Sequence, residues 1–150
     1  MPEASIVGDA PHVVCPSCGT VNRVAPERPA GAAVCGRCRL HLFGGPPRSV
    51  DTAAFDRHLA GNDIPVLVDF WAPWCGPCRT MAPAFEAAAT SLGAKARLLK
   101  LNVDEEPAVA GRYGVQSIPT LILFRKGQPV AHTAGAMDAR RLVDWTERRL

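Results

Sequence analysis

Six cysteines occur in this 150-residue sequence, and all of them fall into CxxC pairs: Cys15-Pro16-Ser17-Cys18, Cys35-Gly36-Arg37-Cys38 and Cys75-Gly76-Pro77-Cys78. Such pairs serve two chemistries, thiolates that hold a metal and thiols that exchange with a disulfide. The first two pairs are separated by sixteen residues, the spacing of a tetrahedral zinc site with four cysteine ligands. Each offers two sulfurs from one tight turn, and Gly19 and Gly36 are expected to relieve the backbone around the metal. Four thiolates on one zinc leave two negative charges, which Arg37, Arg39 and Arg23 are candidates to offset. Zinc coordination supplies about 10–16 kcal/mol of folding free energy, more than so short a segment gains from burial, so metal loss should unfold it. Two disulfides, another metal or a cluster are the competing uses of these sulfurs. His12 and His41 lie beside the pairs, but four cysteines already close the shell, and both read as surface histidines.

The third pair is placed differently. It follows the apolar run 66–71 and opens a segment rich in alanine, so it stands at a strand-to-helix junction. There, free backbone amides and the helix dipole favour a thiolate at the first cysteine. Cys75 is the expected nucleophile, and Cys78, one helical turn on, can close a small ring with it. The alternatives are a zinc half-site or a pair of inert core thiols, but no other Cys or His pair remains to complete a site. Asp69 is the one charged residue of the apolar run. A buried acid should have a raised pKa and could take a proton from the Cys78 thiol, the competing reading being a satisfied carboxylate with a folding role only.

These residues must be positioned by about one ordinary domain plus a small appendage, which is what 150 residues allow. The 47% apolar and 21% charged content is that of a globular protein, and the net charge of +3 is scattered rather than gathered into a basic block. Through residue 50 there are five basic and three acidic residues and almost no aromatics, which argues against nucleic-acid binding. No apolar run approaches a membrane span, and the first thirty residues lack a basic start and apolar h-region, so a cytoplasmic location is expected. In a reducing compartment cysteine pairs are more often metal ligands or redox thiols than structural disulfides.

Residues 1–11 read as an irregular, flexible terminus, 12–42 as the four-cysteine zinc module, 43–48 as a linker rich in Gly and Pro, and 49–150 as the larger domain. Within that domain Asp51 is a candidate N-cap for a helix presenting Phe55 and Leu59 and ending at Gly61-Asn62. Strands are expected at 66–71, 97–103, 120–124 and 129–134, with Lys126-Gly127 as a hairpin turn. Helices are expected at 76–92, with Pro83 removing one backbone bond and bending it, at 107–113, and from 138 towards 150, with Leu142, Val143 and Trp145 facing inward. The order αβαβαββα implies a mixed sheet flanked by helices.

The string Val68-Asp69-Phe70-Trp71-Ala72-Pro73-Trp74-Cys75-Gly76-Pro77-Cys78, with Ile118-Pro119-Thr120 downstream, resembles the thioredoxin family. Pro83, Lys100-Leu101-Asn102-Val103-Asp104, Gly127 and Gly135-Ala136 also match, so the resemblance covers about 100 residues from Asp51 onward. It implies a thioredoxin fold, a cis-proline at 119 facing the dithiol, and protein-disulfide reductase activity through Cys75 and Cys78. From the residues alone, Pro119 simply begins a strand, and Ile118 and Trp71 serve equally well as core. The resemblance further implies an apolar docking face of Trp74, Gly76, Pro77, Ile118, Pro119, Ala134 and Gly135, and Lys100 as a neighbour that tunes Asp69. Its implied partners are protein disulfides and an NADPH-dependent thioredoxin reductase, with no bound organic cofactor and no membrane. A monomer is the default. One departure concerns the family's first strand, which has little room between Pro47 and Asp51 and is expected to be shortened or missing. With the four-cysteine module in front, nearly the whole chain is similar to bacterial thioredoxin 2 proteins. The role of one zinc there is structural, partner-contacting or redox-sensing.

Overall fold

The computed structural model describes residues 10–150. The irregular terminus expected over residues 1–11 falls mostly outside the described residues; its last member, Pro11, accepts a backbone hydrogen bond from Val24 at 2.9 Å. Strands β1 (His12–Val14) and β2 (Val21–Arg23) then pair antiparallel.

The two knuckles, one between β1 and β2 and the other after β2, repeat one bonding pattern. Cys15 N donates to Thr20 O and Gly19 N to Cys15 O; Cys35 N donates to Leu40 O and Arg39 N to Cys35 O. This repeat corrects one expectation. The residue after the second cysteine takes the left-handed conformation, and it is Gly19 (φ +79°) in one knuckle but Arg39 (φ +69°) in the other. Gly36 instead occupies the position that Pro16 fills in the first knuckle, where the ring of proline is accommodated and no glycine is required. Val13, Cys15, Val24, Ala33, Cys35 and Leu42 form a small core, onto which Phe43 and Ile64 pack.

The larger sheet has the order β3 (Arg48–Ser49), β5 (Arg97–Asn102), β4 (Val66–Trp71), β6 (Thr120–Arg125), β7 (Gln128–Ala134). The first three strands run parallel, and β6 and β7 are antiparallel to their neighbours. The short first strand is therefore present, and it includes Arg48, the last residue of the expected linker. Helices α1 (Thr52–Gly61), α2 (Gly76–Leu92), α3 (Pro107–Arg112) and α4 (Ala139–Glu147) cover the sheet.

Strand β4 is buried on both sides, as its unbroken apolar run requires. Its alternating side chains divide the core. Leu67 joins Met81 and Phe85 of α2 and Leu142 of α4, whereas Val66, Val68 and Phe70 join Phe55 of α1 and Val109 of α3. Asp51 caps α1 by accepting from Ala54 N at 2.8 Å, as its residue type suggests. The last helix is shorter than expected, with Asp138 as its cap. Val143 and Trp145 are only partly buried, and Thr146 is fully buried with its hydroxyl donating to Leu142 O. Lys126 and Gly127 both take positive φ, the geometry of a tight hairpin turn between β6 and β7.

Candidate functional site

Where β4 ends, the chain turns through Ala72-Pro73-Trp74 and enters α2 with Cys75 as its N-cap. Extended backbone at Cys75 points its sulfur at the helix N-terminus, so Cys75 Sγ accepts from Cys78 N at 3.2 Å. In the reduced protein that contact and the helix dipole would stabilise negative charge on this sulfur. Cys75 and Cys78 form a disulfide, and both are nearly buried, at 5% and 2% exposure. The two cysteines themselves therefore present little surface to solvent, Cys75 more than Cys78.

The opposing wall comes from the loop before β6. The Ile118–Pro119 peptide bond is cis, and Ile118 O lies 3.7 Å from Cys75 Sγ. Gly135 N donates to Pro119 O at 2.9 Å, tying the end of β7 to this loop. Trp74, Gly76 and Pro77 are exposed on one side of the dithiol, and Ala134 and Gly135 on the other. Ile118 is half-buried and Pro119 buried between them. The proposed docking residues thus lie around one surface ring. Trp74 is 66% exposed, yet its Nε1 donates to Asp104 Oδ2 at 2.7 Å, which fixes the indole. Asp104 was not singled out from the sequence as a partner. The match at 100–104 marks its position, but the contact crosses two loops.

Asp69 is buried on the α2 side of β4, between Leu67 and Trp71 in the strand alternation. Neither of its carboxylate oxygens has a hydrogen-bond partner among the described residues. Burial pushes the acid up to about 7, with the positive charge of Lys100 partly opposing the rise. Lys100 is the register partner of Asp69 on β5, but its ammonium lies 4.4 Å above the Trp71 ring and makes no ion pair with Asp69.

At the other end of the sheet, the four sulfurs of Cys15, Cys18, Cys35 and Cys38 lie within 4.8 Å of one another. Cys15 and Cys38, and likewise Cys18 and Cys35, approach to 3.6 Å. Tetrahedral zinc with Zn–S of about 2.3 Å sets its sulfurs roughly 3.8 Å apart, so the cluster fits the ion. Backbone amides already point at these sulfurs, Ser17 N and Cys18 N at Cys15 and Arg37 N at Cys35. The amides of Cys38 and Arg37 lower the Cys35 thiol to about 6, whereas Cys38, despite the Leu40 amide, is raised to about 11 by burial and the neighbouring sulfurs, as expected of thiols clustered this closely. His12 and His41 are exposed, in keeping with four sulfurs closing the shell. Arg23, Arg37 and Arg39 are exposed as well; the buried cation beside the cluster is Arg97, which the sequence does not mark.

A mixed five-stranded sheet that carries a CxxC disulfide at a helix N-terminus, facing a cis-proline, defines a thiol–disulfide oxidoreductase. Residues 47–148 match the family described as "Thioredoxin", and residues 14–39 match the family described as "Thioredoxin 2, N-terminal". The chain belongs to the thioredoxin family, with a thioredoxin domain preceded by the N-terminal zinc ribbon of the thioredoxin 2 type. It is 46% identical to thioredoxin of Rhodospirillum rubrum over 67% of this chain and 96% of that one. It is also 36% identical to thioredoxin C-3 of Corynebacterium nephridii, over 92% of this chain and 94% of the relative. Among solved structures, a mutant thioredoxin from Halobacterium salinarum NRC-1 superposes with a TM-score of 0.63 at 37% identity, covering 70% of this chain and 90% of that chain. Thioredoxins are thiol–disulfide oxidoreductases, and the Cys75–Cys78 pair gives this chain the means for that reaction. No helix among the described residues is long and apolar enough to cross a membrane.

Proposed function

We propose that this protein is a cytoplasmic, monomeric protein-disulfide reductase that uses Cys75 and Cys78 and is recharged by an NADPH-dependent thioredoxin reductase. The observation that carries this reading is the Cys75 sulfur at a helix N-terminus, 3.7 Å from the Ile118 carbonyl and ringed by exposed apolar residues. In the reduced protein the Cys75 thiolate attacks one sulfur of a partner disulfide. A Cys75–partner disulfide forms, and the other partner sulfur leaves as a thiolate. Cys78 then loses its proton to the Asp69 carboxylate and attacks Cys75 Sγ, which expels the second partner thiol and closes the Cys75–Cys78 disulfide. Two electrons pass to the partner, and the reductase returns them. Lys100 holds positive charge near Asp69 and biases its proton affinity. Trp74, Gly76, Pro77, Ile118, Pro119, Ala134 and Gly135 form the docking face.

One zinc held by Cys15, Cys18, Cys35 and Cys38 would supply the folding free energy of the 12–42 module, joined through 43–48 to the 49–150 domain. A structural role fits its place. The module packs against the α1–β4 loop and the start of β5, whereas Cys75 follows the end of β4, about 20 Å away along a six-residue strand.

The test is NADPH oxidation with thioredoxin reductase and a protein disulfide, comparing the zinc-loaded wild type with Cys75→Ser. Rapid turnover lost in the variant is the expected outcome. Absence of turnover in the wild type would redirect the search to another electron donor.

A further inference from the structure

Strand β1 is fastened to the thioredoxin domain along its length. Asp63 N donates to His12 O at 2.8 Å, and His12 N donates to Asp63 Oδ2 at 2.7 Å. Val14 N donates to Asn62 Oδ1 at 2.8 Å, and the Asn62 amide nitrogen is held 2.9 Å from His58 Nδ1. Asn62 and His58 are both buried. Gly61 leaves no space for a side chain, because a Cβ there would lie 2.7 Å from Val14 Cγ2.

Arg97 completes this seam. It opens β5, is 8% exposed, and its Nη2 donates to Leu42 O at 2.7 Å and Val14 O at 3.3 Å. The two carbonyls flank the cysteine cluster, Val14 just before Cys15 and Leu42 four residues after Cys38. No carboxylate among the described residues pairs with this guanidinium, and its Nε has no partner. A buried, unpaired guanidinium is costly unless dipoles or opposite charge face it. The groups that favour its charge are the two ribbon carbonyls, the Phe43 ring 5.8 Å away in the segment that follows and, beyond them, a cluster that is net negative when it holds zinc; the neighbouring Arg48 opposes it.

We infer that Arg97 is the positioning residue through which metal occupancy of the ribbon is coupled to the order of the thioredoxin sheet. The inference rests on zinc binding by the four cysteines. With the metal bound, the ribbon holds both carbonyls on the guanidinium and closes over the start of β4 and β5. When the metal is lost, the carbonyls separate, Arg97 takes up water, and the first residues of both strands open more often. Coupling is reciprocal, so a change at Arg97 must also change metal affinity.

The test uses the full chain in four versions of one experiment: wild type and Arg97→Met, each with zinc and with zinc removed by a chelator. Metal content and chelator competition give the affinity, and amide hydrogen exchange at the starts of β4 and β5 gives the local opening. Removal of zinc from the wild type is expected to speed exchange there roughly 5- to 150-fold, the range of ordinary allosteric coupling. Arg97→Met is expected to bind zinc roughly 10- to 100-fold more weakly, as for loss of an outer-shell partner, and its exchange should no longer respond to the metal. Arg97→Lys, which keeps the charge, should recover part of both. A zinc-loaded wild type whose exchange is indifferent to chelation would overturn the coupling, as would wild-type affinity in Arg97→Met. If Arg97→Met does not fold, Arg97→Lys decides: full wild-type zinc affinity and exchange response in that variant would overturn the inference. A wild type that retains no zinc would instead remove the metal reading and this inference with it.

Discussion

Asp69 has a pKa whose direction makes two expectations at once. Burial raises its carboxyl from an ordinary 3.8 to about 7, so the folded protein holds a proton that the unfolded chain has already released across that interval. Stability contributed by the protonated form is present below about pH 4 and lost as pH rises through 7. At about 1.4 kcal/mol for each pH unit of displacement, the full cost above neutrality is roughly 4 kcal/mol. Asp69→Asn removes it, so urea unfolding at pH 8 should show the variant more stable than the wild type, with the two converging near pH 4. On the proposed mechanism the same substitution removes the base that takes the proton of Cys78. Steady-state reductase turnover at neutral pH should fall roughly 100-fold, the low end of what a positioned base contributes. A variant both more stable and fully active would retain Asp69 as a buried carboxyl and discard it as a base. The residue types alone pointed to Asp69 and to the Cys75 thiolate, because a charge inside an apolar run and a cysteine before a helix are each local signals. Asp104 and Arg97 carry no such mark: one acts on an indole thirty residues away, and the other on carbonyls 55 and 83 residues away.

Among the elements, β4 and α2 were legible because burial on both faces leaves a continuous apolar run and the cysteine pair fixes where the helix begins. The two-residue β3 is too short to show any alternation, and only its pairing with β5 at Leu99 and Lys100 defines it. The second knuckle shows the same limit. Its left-handed position is filled by Arg39, so a search for glycine marks Gly36 instead. Gly61 ends α1, and two effects oppose each other there. Alanine is the better helix former by up to about 1 kcal/mol. Its Cβ would lie 2.7 Å from a methyl of buried Val14, and overpacking costs about 1–3 kcal/mol. Helix propensity counts for less at a helix end, so Gly61→Ala should destabilise the protein by roughly 1–2 kcal/mol in thermal or denaturant unfolding. A stabilised variant would mean that β1 yields without cost.

For the molecule as a whole, two buried groups set opposite slopes on the pH dependence of stability. His58 is lowered from 6.5 to about 4, first by burial and then by Arg97 and Arg57. Its neutral form stabilises the fold above 6.5, and that contribution is lost as pH falls through 4. Over nearly the same interval Asp69 gains what His58 loses. The contributions of these two groups should therefore nearly cancel between pH 4 and 7, so that relative to the wild type Asp69→Asn should lose stability on acidification and His58→Gln should gain it. Parallel denaturant titrations of the three proteins check this. These groups lie at different ends of the sheet, His58 beside the ribbon seam and Asp69 on the strand leading to the dithiol. The architecture thus separates a metal-held pole from a redox pole. The spacing of the cysteines foretold both poles, but not which side of the sheet the ribbon occupies, since that depends on Asn62, Asp63 and Arg97 meeting β1 only in the folded chain.

The division of labour between Cys75 and Cys78 is tested most directly by trapping the covalent intermediate. Cys78→Ser, reduced, zinc-loaded and mixed with a protein disulfide, should accumulate a one-to-one mixed disulfide whose peptide mass maps it to Cys75, and Cys75→Ser should accumulate none. An adduct on Cys15, Cys18, Cys35 or Cys38 with none on Cys75, or no adduct at all with a substrate the wild type reduces, would contradict Cys75 as the attacking sulfur.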